Sequence, residues 1–330
     1  MSLVVLKFGG TSLANTKLMG NAVAKVIEEV KQNHQVIVVV SAMAGVTDNL
    51  VSLTHEIIDT HNIDSLYEYA NIITTGEQVS AGLFALLLQQ AGLKARSWLG
   101  WQAGIFTDED IENGNIAKVD YSALVSSFKQ GYQVAVVTGF QGITNSNRIS
   151  TLGRGGSDTS AIILAGELKA LKCDIYTDVE GVFTADPRIV AKAKKIDNIN
   201  YDEMIELASA GAKVLQTKSV QWAKHYNVKL QVLSSFTNNP GSIISNEANS
   251  HKITGISINK LQDHLNIAKV TIIGTNIRDK NLSEFFKQTL LKESIEVLSM
   301  EENYMKISFA VKEEDKFDAV RYLHSACNFD

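Results

Sequence analysis

An arginine and an aspartate lie within a glycine-rich stretch, Thr151–Ala161, that reads TLGRGGSDTSA. Arg154 offers a planar, permanently charged fork that suits a carboxylate or a phosphate. The helical sequence that follows would present free N–H groups and a partial positive charge, which also favour an anion. Asp158 would repel a bare phosphate, so it indicates a metal ion or a substrate amine at the same place. The stretch predicts a site where two anionic reactants meet; the alternative is a surface turn in which Ser157 or Asp158 caps the helix.

A lysine followed by two glycines ends an apolar, strand-like run near the start of the chain. Lys7 could reach phosphate oxygens across the bare backbone of Gly9 and Gly10, or it could be an ordinary solvated lysine at a strand end. The pattern is not a Walker A loop, because no Gly-x-x-x-x-Gly-Lys-Ser/Thr occurs. The glycines around Arg154 are not a dinucleotide fingerprint, because Asp158 stands where the third glycine would be.

Several other polar residues have a structural and a functional interpretation. Glu77 lies in a mostly apolar helical stretch, where an exposed surface carboxylate is the simpler interpretation. Thr47 could be a helix N-cap, and Lys213 could be a surface lysine at a helix start. The loop Tyr176–Arg188 follows a strand and contains acidic residues and an arginine, as an ordinary charged strand-to-helix connection would.

Together these residue types favour phosphoryl transfer, which depends on positioning and charge neutralisation more than on bond-making groups. Two lysines, an arginine and a metal-holding aspartate around glycine turns meet that need. A carboxylate acceptor would already be ionised at neutral pH, so the reaction would need no general base. The seven histidines have no metal-like spacing, and the sequence has no Ser/His/Asp or Cys/His grouping that indicates covalent catalysis.

Strand-like and helical runs alternate along most of the chain, which predicts an α/β fold with a mostly parallel sheet between helices. The apolar runs read as strands at Leu3–Phe8, Gln35–Ala42, Lys94–Leu99, Gln133–Phe140, Cys173–Val179 and Lys229–Ser235. Helical patterns cover Thr16–Lys31, Asp64–Ala91 and Thr159–Leu171. In such sheets ligands bind beyond the carboxyl ends of the strands, and the polar motifs described above fall there.

A polar stretch, Ser234–Ser250, separates this region from the rest of the chain. We therefore predict a catalytic domain over residues 1–245 and a small α+β domain over residues 246–330. The second domain reads as strand, helix, strand, strand, helix, at Ala268–Gly274, Leu282–Glu293, Ile295–Met300, Tyr304–Val311 and Asp315–Ala326.

The composition narrows the class of protein. The 330 residues suffice for two domains, and a net charge of −5 argues against non-specific binding to nucleic acid or to anionic membranes. The two cysteines, Cys173 and Cys327, lie far apart, which is typical of a reduced, cytoplasmic protein. The sequence has no run of transmembrane length, and no basic region precedes the first apolar run as in a signal peptide. We expect no nucleic-acid partner and no membrane partner.

The motifs resemble those of aspartate kinases in the amino-acid kinase superfamily. They occur in the order of that family and cover about Leu3 to Ile244: Lys7–Ser12 (KFGGTS), Ser41–Met43 (SAM), Thr75–Glu77 (TGE), Gly139–Gly142 (GFQG), Gly153–Asp158 (GRGGSD), Thr177–Gly181 (TDVEG) and Thr184–Arg188 (TADPR). Each motif is weak by itself, whereas the ordered set is specific. The resemblance implies the amino-acid kinase fold.

The resemblance also implies roles for individual residues. Lys7 and Asp158 would act in catalysis, with Mg²⁺ held mainly through ATP and Asp158 as the candidate protein ligand. The residues implied to bind ATP are Lys7, Phe8, Gly9, Gly10, Thr177, Asp178, Phe183, Arg188, Lys213 and Val214. Those implied to hold L-aspartate are Thr47, Glu77, Arg154 and Ser157. The product would be 4-phospho-L-aspartate, which leads to lysine, diaminopimelate, threonine and methionine.

Two departures from the family pattern occur near the implied nucleotide site. Phe183 stands where the family often has a tyrosine, so a hydroxyl contact would be lost. Gln216–Lys218 (QTK) replaces a frequent His-Pro-Arg. The alternatives to an aspartate kinase are another kinase of the same superfamily and a catalytically silent amino-acid sensor.

The C-terminal region resembles an ACT domain, the amino-acid-sensing module of the family. Ile253–Lys260 resembles the start of a first, incomplete repeat, and Ala268 begins the second. The loop Gly274–Asn281 lacks the Pro-Gly that usually follows the first strand. The resemblance implies a homodimer formed through this region and a possible lysine or threonine effector.

Overall fold

The computed structural model describes residues 2–58, 62–260 and 266–329. The strands are β1 Leu3–Phe8, β2 Gln35–Val40, β3 Ala95–Trp98, β4 Ile105–Thr107, β5 Ile116–Val119, β6 Val134–Thr138, β7 Gln141–Ile143, β8 Ile149–Thr151, β9 Cys173–Thr177, β10 Val182–Phe183, β11 Lys195–Ile196, β12 Asn198–Ile199, β13 Leu230–Ser234, β14 Ser242–Ile244, β15 Gly255–Lys260, β16 Ile267–Ile273, β17 Ser299–Glu302 and β18 Lys306–Lys312. The α-helices are α1 Thr16–Lys31, α2 Val46–His55, α3 Ile63–Ile73, α4 Thr75–Gln90, α5 Ser122–Lys129, α6 Gly156–Glu167, α7 Tyr201–Ser209, α8 Thr217–Tyr226, α9 Lys280–Lys292 and α10 Lys316–Ala326.

The chain forms two compact units, and the chain passes from the first to the second more than once. The first unit comprises Met1–Glu180 and Trp222–Pro240, and the second comprises Gly181–Gln221 and Gly241–Asp330. The division predicted between residues 245 and 246 rests on the polar stretch Ser234–Ser250. It does not coincide with the bounds of the two compact units, and it stays a prediction.

A parallel sheet forms the centre of the first unit, with strand order β13-β9-β1-β2-β6-β3. Side chains of Val4, Leu6 and Phe8 pack with apolar residues of α1 and α4 in one core cluster. Successive strand residues point to opposite faces, so Lys7 lies on the other face, against which α6 packs. The α/β class predicted from the sequence is confirmed.

A second, smaller sheet in the same unit has strand order β5-β4-β7-β8. Strand β7 follows β6 after only Gly139 and Phe140, so the chain leaves the carboxyl end of the parallel sheet directly into this smaller sheet. Phe140 turns the chain with a φ of 69°, which is unusual for a residue with a side chain. The short strands of this sheet had no distinct signal in the sequence.

The second unit contains a four-stranded antiparallel sheet with strand order β15-β16-β18-β17. Phe286 of α9 and Leu323 of α10 pack with Val270 and Phe309 of the sheet in one apolar cluster. The unit also contains the antiparallel pair β10 and β11 and the parallel pair β12 and β14. The predicted strand–helix–strand–strand–helix order is confirmed, and β15 joins the same sheet.

The largest differences between the predicted and the observed boundaries fall at three places along the chain. The helical stretch Asp64–Ala91 is divided at Thr74, whose hydroxyl donates to the Ala70 carbonyl. Helix α6 starts at Gly156 and ends at Glu167, because Lys169 adopts a left-handed conformation with a φ of 50°. Strand β17 starts at Ser299, four residues later than predicted, because Ile295 is buried in the apolar cluster as the chain leaves α9. Within the described residues, none of the helices combines the length and apolar character needed to cross a membrane.

Candidate active site

A pocket of about 190 Å³ lies at the carboxyl ends of β1 and β2 in the first unit. Its walls come from separate parts of the chain: Lys7, Ser41, Thr47, Glu77, Phe140, Gly153, Arg154, Gly155, Gly156, Ser157 and Asp158. The predicted residues Lys7, Thr47, Glu77, Arg154, Ser157 and Asp158 therefore share one pocket. This position agrees with the rule that ligands bind beyond the carboxyl ends of parallel strands.

An ion pair connects β1 to the first turn of α6. Lys7 Nζ lies 2.6 Å from Asp158 Oδ1, and both side chains are almost buried. The contact lacks hydrogen-bond geometry at Asp158 Oδ1, so this oxygen is held by charge and keeps lone pairs free. The alternative of a solvated lysine at a strand end is thereby excluded.

A buried carboxylate faces the same pocket from the first turn of α4. Glu77 is 3% exposed, which overturns its interpretation as a surface residue. Its Oε1 accepts a hydrogen bond of 2.9 Å from the Ala42 backbone N–H, and its Oε2 has no hydrogen-bond partner among the described residues. Burial raises the pKa of Glu77 to about 7, although the Ala42 N–H and the charge of Lys7 lower it. An unpaired carboxylate of this kind suits a cationic ligand group.

Arg154 is exposed at the pocket, and its guanidinium contacts no acceptor within the described part of the chain. Two glycines in left-handed conformations flank it, with φ of 69° at Gly153 and 75° at Gly155. A side chain is disfavoured at such angles, so the glycines allow the tight turn that presents the arginine. A free guanidinium beside a pocket suits a carboxylate or a phosphate.

Glycines, and not hydroxyl side chains, cap two of the helices that border the pocket, α2 and α6. Gly155 precedes α6 and Gly45 precedes α2, and neither helix has a side-chain cap. Ser157, Asp158 and Thr47 lie inside the first turns, so the prediction that they cap these helices is wrong. The physical reason is that the left-handed turns before both helices favour glycine at the cap position. The three polar side chains are left for contact with the pocket.

The backbone that follows β1 is tightly packed. The side chain of Phe8, the last residue of β1, is buried in the core. A Cβ at Gly10 would lie 2.8 Å from the Ala42 carbonyl oxygen, so this position requires glycine. The ring of Phe8 is fully buried and stacks on Tyr176, with ring centroids 4.8 Å apart. A ligand could therefore contact Phe8 only through its backbone.

The other predicted nucleotide residues lie outside the pocket lining. Thr177 ends β9 in the first unit and Asp178 follows it, and the Thr177 hydroxyl donates to Asp178 Oδ1 at 3.1 Å. Those in the second unit are Phe183, Arg188, Lys213 and Val214. The Arg188 guanidinium donates two hydrogen bonds to the Asp186 carboxylate, so these N–H groups already have an acceptor within the chain. Lys213 is exposed in a bend four residues before α8 begins.

Five pocket residues were not among the predicted site residues: Ser41, Phe140 and the three glycines Gly153, Gly155 and Gly156. Ser41 follows β2, and Phe140 separates β6 from β7. Ser41 lies in the motif Ser41–Met43 and Phe140 lies in the motif Gly139–Gly142. Their position directly after predicted strands is a sequence signal that indicates the pocket. The left-handed turn at Phe140 was not, because it depends on the pairing of β7 with β8.

The donors at the pocket fit a magnesium ion that arrives with phosphates. Mg²⁺ is usually bound through one or two carboxylates together with substrate phosphates and water. Asp158 supplies one almost buried carboxylate with free lone pairs. The described residues contain no cluster of three or more His, Cys, Asp or Glu that could hold a metal alone.

The sheet, the glycine turns and the paired charges define a phosphate-handling α/β protein. The sequence model of the amino acid kinase family matches residues 2–234. The chain belongs to the amino acid kinase family and, within it, to the aspartokinases.

Aspartokinase 2 of Bacillus subtilis is 44% identical over 330 aligned residues, which cover 98% of this chain and 78% of that protein. Aspartokinase of Geobacillus stearothermophilus is 40% identical, with 98% of this chain and 79% of that protein covered. A crystal structure of Escherichia coli aspartokinase III in complex with aspartate and ADP has the same fold. It has a TM-score of 0.83 and 22% identity, and covers 98% of this chain and 99% of that chain.

Proposed function

We propose that this protein is an aspartate kinase that transfers the γ-phosphoryl group of ATP to the β-carboxylate of L-aspartate. One observation supports this proposal most strongly: a buried carboxylate with an unpaired oxygen and an unpaired arginine line the same pocket as a lysine–aspartate pair. An amino acid needs a partner for its ammonium group and partners for its carboxylates. A nucleotide phosphate needs a cation beside a magnesium ligand.

On the amino-acid side, Glu77 binds the ammonium group and Arg154 binds a carboxylate. Thr47 and Ser157 donate hydrogen bonds from the first turns of α2 and α6. Of the two carboxylates of aspartate, the β-carboxylate faces the nucleotide. The pocket lining supports these roles, because the four residues come from separate elements and meet around one space.

On the nucleotide side, Lys7 and the backbone of Gly9 and Gly10 contact the phosphates. Asp158 would hold Mg²⁺ that arrives with the phosphates, and the ion would neutralise part of the phosphate charge when bound. The roles of Thr177, Asp178, Phe183, Arg188, Lys213 and Val214 in nucleotide binding rest on the sequence motifs.

In the reaction, a β-carboxylate oxygen attacks the γ-phosphorus, and the bond from that phosphorus to the bridging oxygen of ADP breaks. The products are the acyl phosphate 4-phospho-L-aspartate and ADP. The attacking oxygen is already ionised, so no residue has to remove a proton. Lys7 offsets the negative charge that moves onto the phosphate oxygens, which is the main requirement of phosphoryl transfer.

We further infer that residues 1–245 form the catalytic domain and that residues 246–330 form an ACT-like domain through which two copies of the chain pair. Lysine or threonine is the proposed effector class. Two free thiols and a modest negative net charge support a cytoplasmic location, where the enzyme would start the synthesis of lysine, diaminopimelate, threonine and methionine.

The direct test is ADP release from Mg-ATP in the presence of a panel of amino acids. We expect release that depends on aspartate and on Mg²⁺. Turnover with glutamate but not with aspartate would contradict the substrate assignment, and no turnover with any amino acid would favour a silent sensor.

A further inference from the structure

The side chain of Gln141 connects two segments that carry pocket residues, the segment of Phe140 and the start of α4 with Glu77, without lining the pocket itself. Gln141 is 1% exposed and is the first residue of β7, directly after the pocket residue Phe140. Its Nε2 donates a buried hydrogen bond of 3.0 Å to the carbonyl oxygen of Thr74, which is 67 residues away in sequence. The bond therefore links the strand that follows Phe140 to the junction of α3 and α4.

Thr74 forms the junction between α3 and α4. It ends α3 and immediately precedes α4, and it is fully buried. Its own hydroxyl is used within α3, where it donates to the Ala70 carbonyl at 2.8 Å. Thr74 therefore does not cap α4 with its side chain. Gln141 is the side chain that holds this junction from outside the helix.

The first turn of α4 carries Glu77, three residues after Thr74. Close packing fixes this turn, since a Cβ at Gly76 would lie 2.7 Å from the Cβ of Ala42. The Ala42 N–H holds one carboxylate oxygen of Glu77, and the other oxygen is free. A shift of the helix start would therefore move the free oxygen relative to the pocket.

The Gln141 side chain is held in place for this contact. A Cβ at Gly100 would lie 2.3 Å from the Gln141 carbonyl oxygen and 3.0 Å from its Cγ, so the chain at Gly100 packs directly against it. The amide oxygen of Gln141 has no hydrogen-bond partner among the described residues. Among the described residues, the bond to Thr74 is therefore the polar contact that orients the amide group.

We propose that Gln141 is a positioning residue for amino-acid binding: it fixes the start of α4 and thereby the free oxygen of Glu77. The inference rests on the proposed function, because it assumes that Glu77 binds the substrate ammonium group. Gln141 itself does not touch the substrate. Its loss affects the binding of aspartate and leaves the binding of ATP unchanged.

The first experiment compares Gln141→Leu with Gln89→Leu in steady-state kinetics. Gln89 is the control for loss of a hydrogen bond: its Nε2 donates a bond of the same length, 3.0 Å, to the Ala95 carbonyl near the other end of α4, and its side chain is exposed. We expect Gln141→Leu to raise KM for aspartate about tenfold while kcat and KM for ATP stay within about twofold. Gln89→Leu leaves all three constants within about twofold of the wild type.

A second variant, Gln141→Glu, keeps the shape of the side chain and makes the hydrogen bond depend on pH. Burial favours the protonated carboxyl, which can donate to the Thr74 carbonyl, whereas the ionised form cannot. The KM for aspartate relative to that of the wild type should therefore rise from about pH 6 to about pH 9. The same ratio for Gln141→Leu should stay constant across this range.

The outcomes separate this inference from the proposed function. A wild-type protein without aspartate-dependent ADP release would refute the proposed function. If the wild type is active, equal changes in Gln141→Leu and Gln89→Leu would overturn the inference, as would a fall in kcat alone. If Gln141→Leu does not fold, a pH-independent ratio for Gln141→Glu would overturn it, and the rising ratio would support it.

Discussion

Lys7 Nζ and Asp158 Oδ1 lie 2.6 Å apart at the point where β1 and α6 meet. The pairing follows from strand geometry, because Leu6 and Phe8 point into the core with α1 and α4 while Lys7 points to the opposite face. Asp158 is in the first turn of the helix that packs on that face. The lysine proposed to contact the phosphates and the aspartate proposed to bind magnesium are thus held side by side.

Replacing Lys7 by Met should lower kcat by about 10² or more, because the charge that stabilises the transferred phosphoryl group is lost. Steady-state kinetics with varied ATP and aspartate measure the effect. Lys17→Met is the control. Lys17 is exposed on α1, so this substitution should leave the kinetic constants unchanged. A change confined to KM for ATP, with kcat intact, would contradict the catalytic role of Lys7.

Replacing Arg154 by Ala should raise KM for aspartate about 10- to 100-fold, because a hydrogen-bonded charge pair with a carboxylate is lost. The matched control is Arg148→Ala. Arg148 pairs with Glu68 and stacks over Tyr67 outside the pocket lining. Similar kinetic constants for the two variants would refute the assignment of Arg154 to the amino acid.

Glu77 should make aspartate binding depend on pH. The pKa of Glu77 is raised to about 7 in the free protein, and only its ionised form pairs with an ammonium group. The value of kcat/KM for aspartate should therefore fall as the pH decreases below about 7, approaching tenfold per pH unit.

The control for this pH dependence is Glu77→Gln, which cannot ionise. Its kcat/KM should be lower than that of the wild type above about pH 7, and it should lack the transition near that pH. A profile in which wild type and variant fall in parallel would assign the transition to another group.

Gly139→Ala should destabilise the protein by about 1–3 kcal/mol and raise KM for aspartate, because its Cβ would overlap the side chain of Ser157. The ideal Cβ position lies 2.7 Å from both Cβ and Oγ of Ser157. Gly20→Ala is the control, since a Cβ there meets nothing within 4 Å in the middle of α1. Thermal unfolding should show a lower Tm for Gly139→Ala and a higher one for Gly20→Ala. Equal Tm values would show that the site tolerates displacement of Ser157.

The strand and helix pattern predicted the sheet and the edge on which the pocket lies. Uninterrupted apolar runs such as Val36–Val40 are typical of parallel strands covered on both faces, and the glycine and hydroxyl motifs follow these runs. These signals are local in sequence. Lys7, Arg154 and Asp158 could therefore be recognised as site residues before their neighbours were known.

The burial of Glu77 could not be predicted in the same way. A single carboxylate in an apolar helix reads as a surface residue, and its burial depends on Ala42, which is 35 residues away. The left-handed turn at Phe140 likewise depends on the pairing of β7 with β8. Long-range packing, and not local pattern, decides both features.

The most direct test of the proposed reaction is capture of its acyl phosphate with hydroxylamine. The nitrogen attacks the acyl carbon, phosphate leaves, and a hydroxamate forms in proportion to ADP. With Mg-ATP and L-aspartate, we predict one hydroxamate per ADP, with the chromatographic and mass properties of authentic β-aspartyl hydroxamate. ADP release without hydroxamate, or formation of the α-isomer, would contradict transfer to the β-carboxylate.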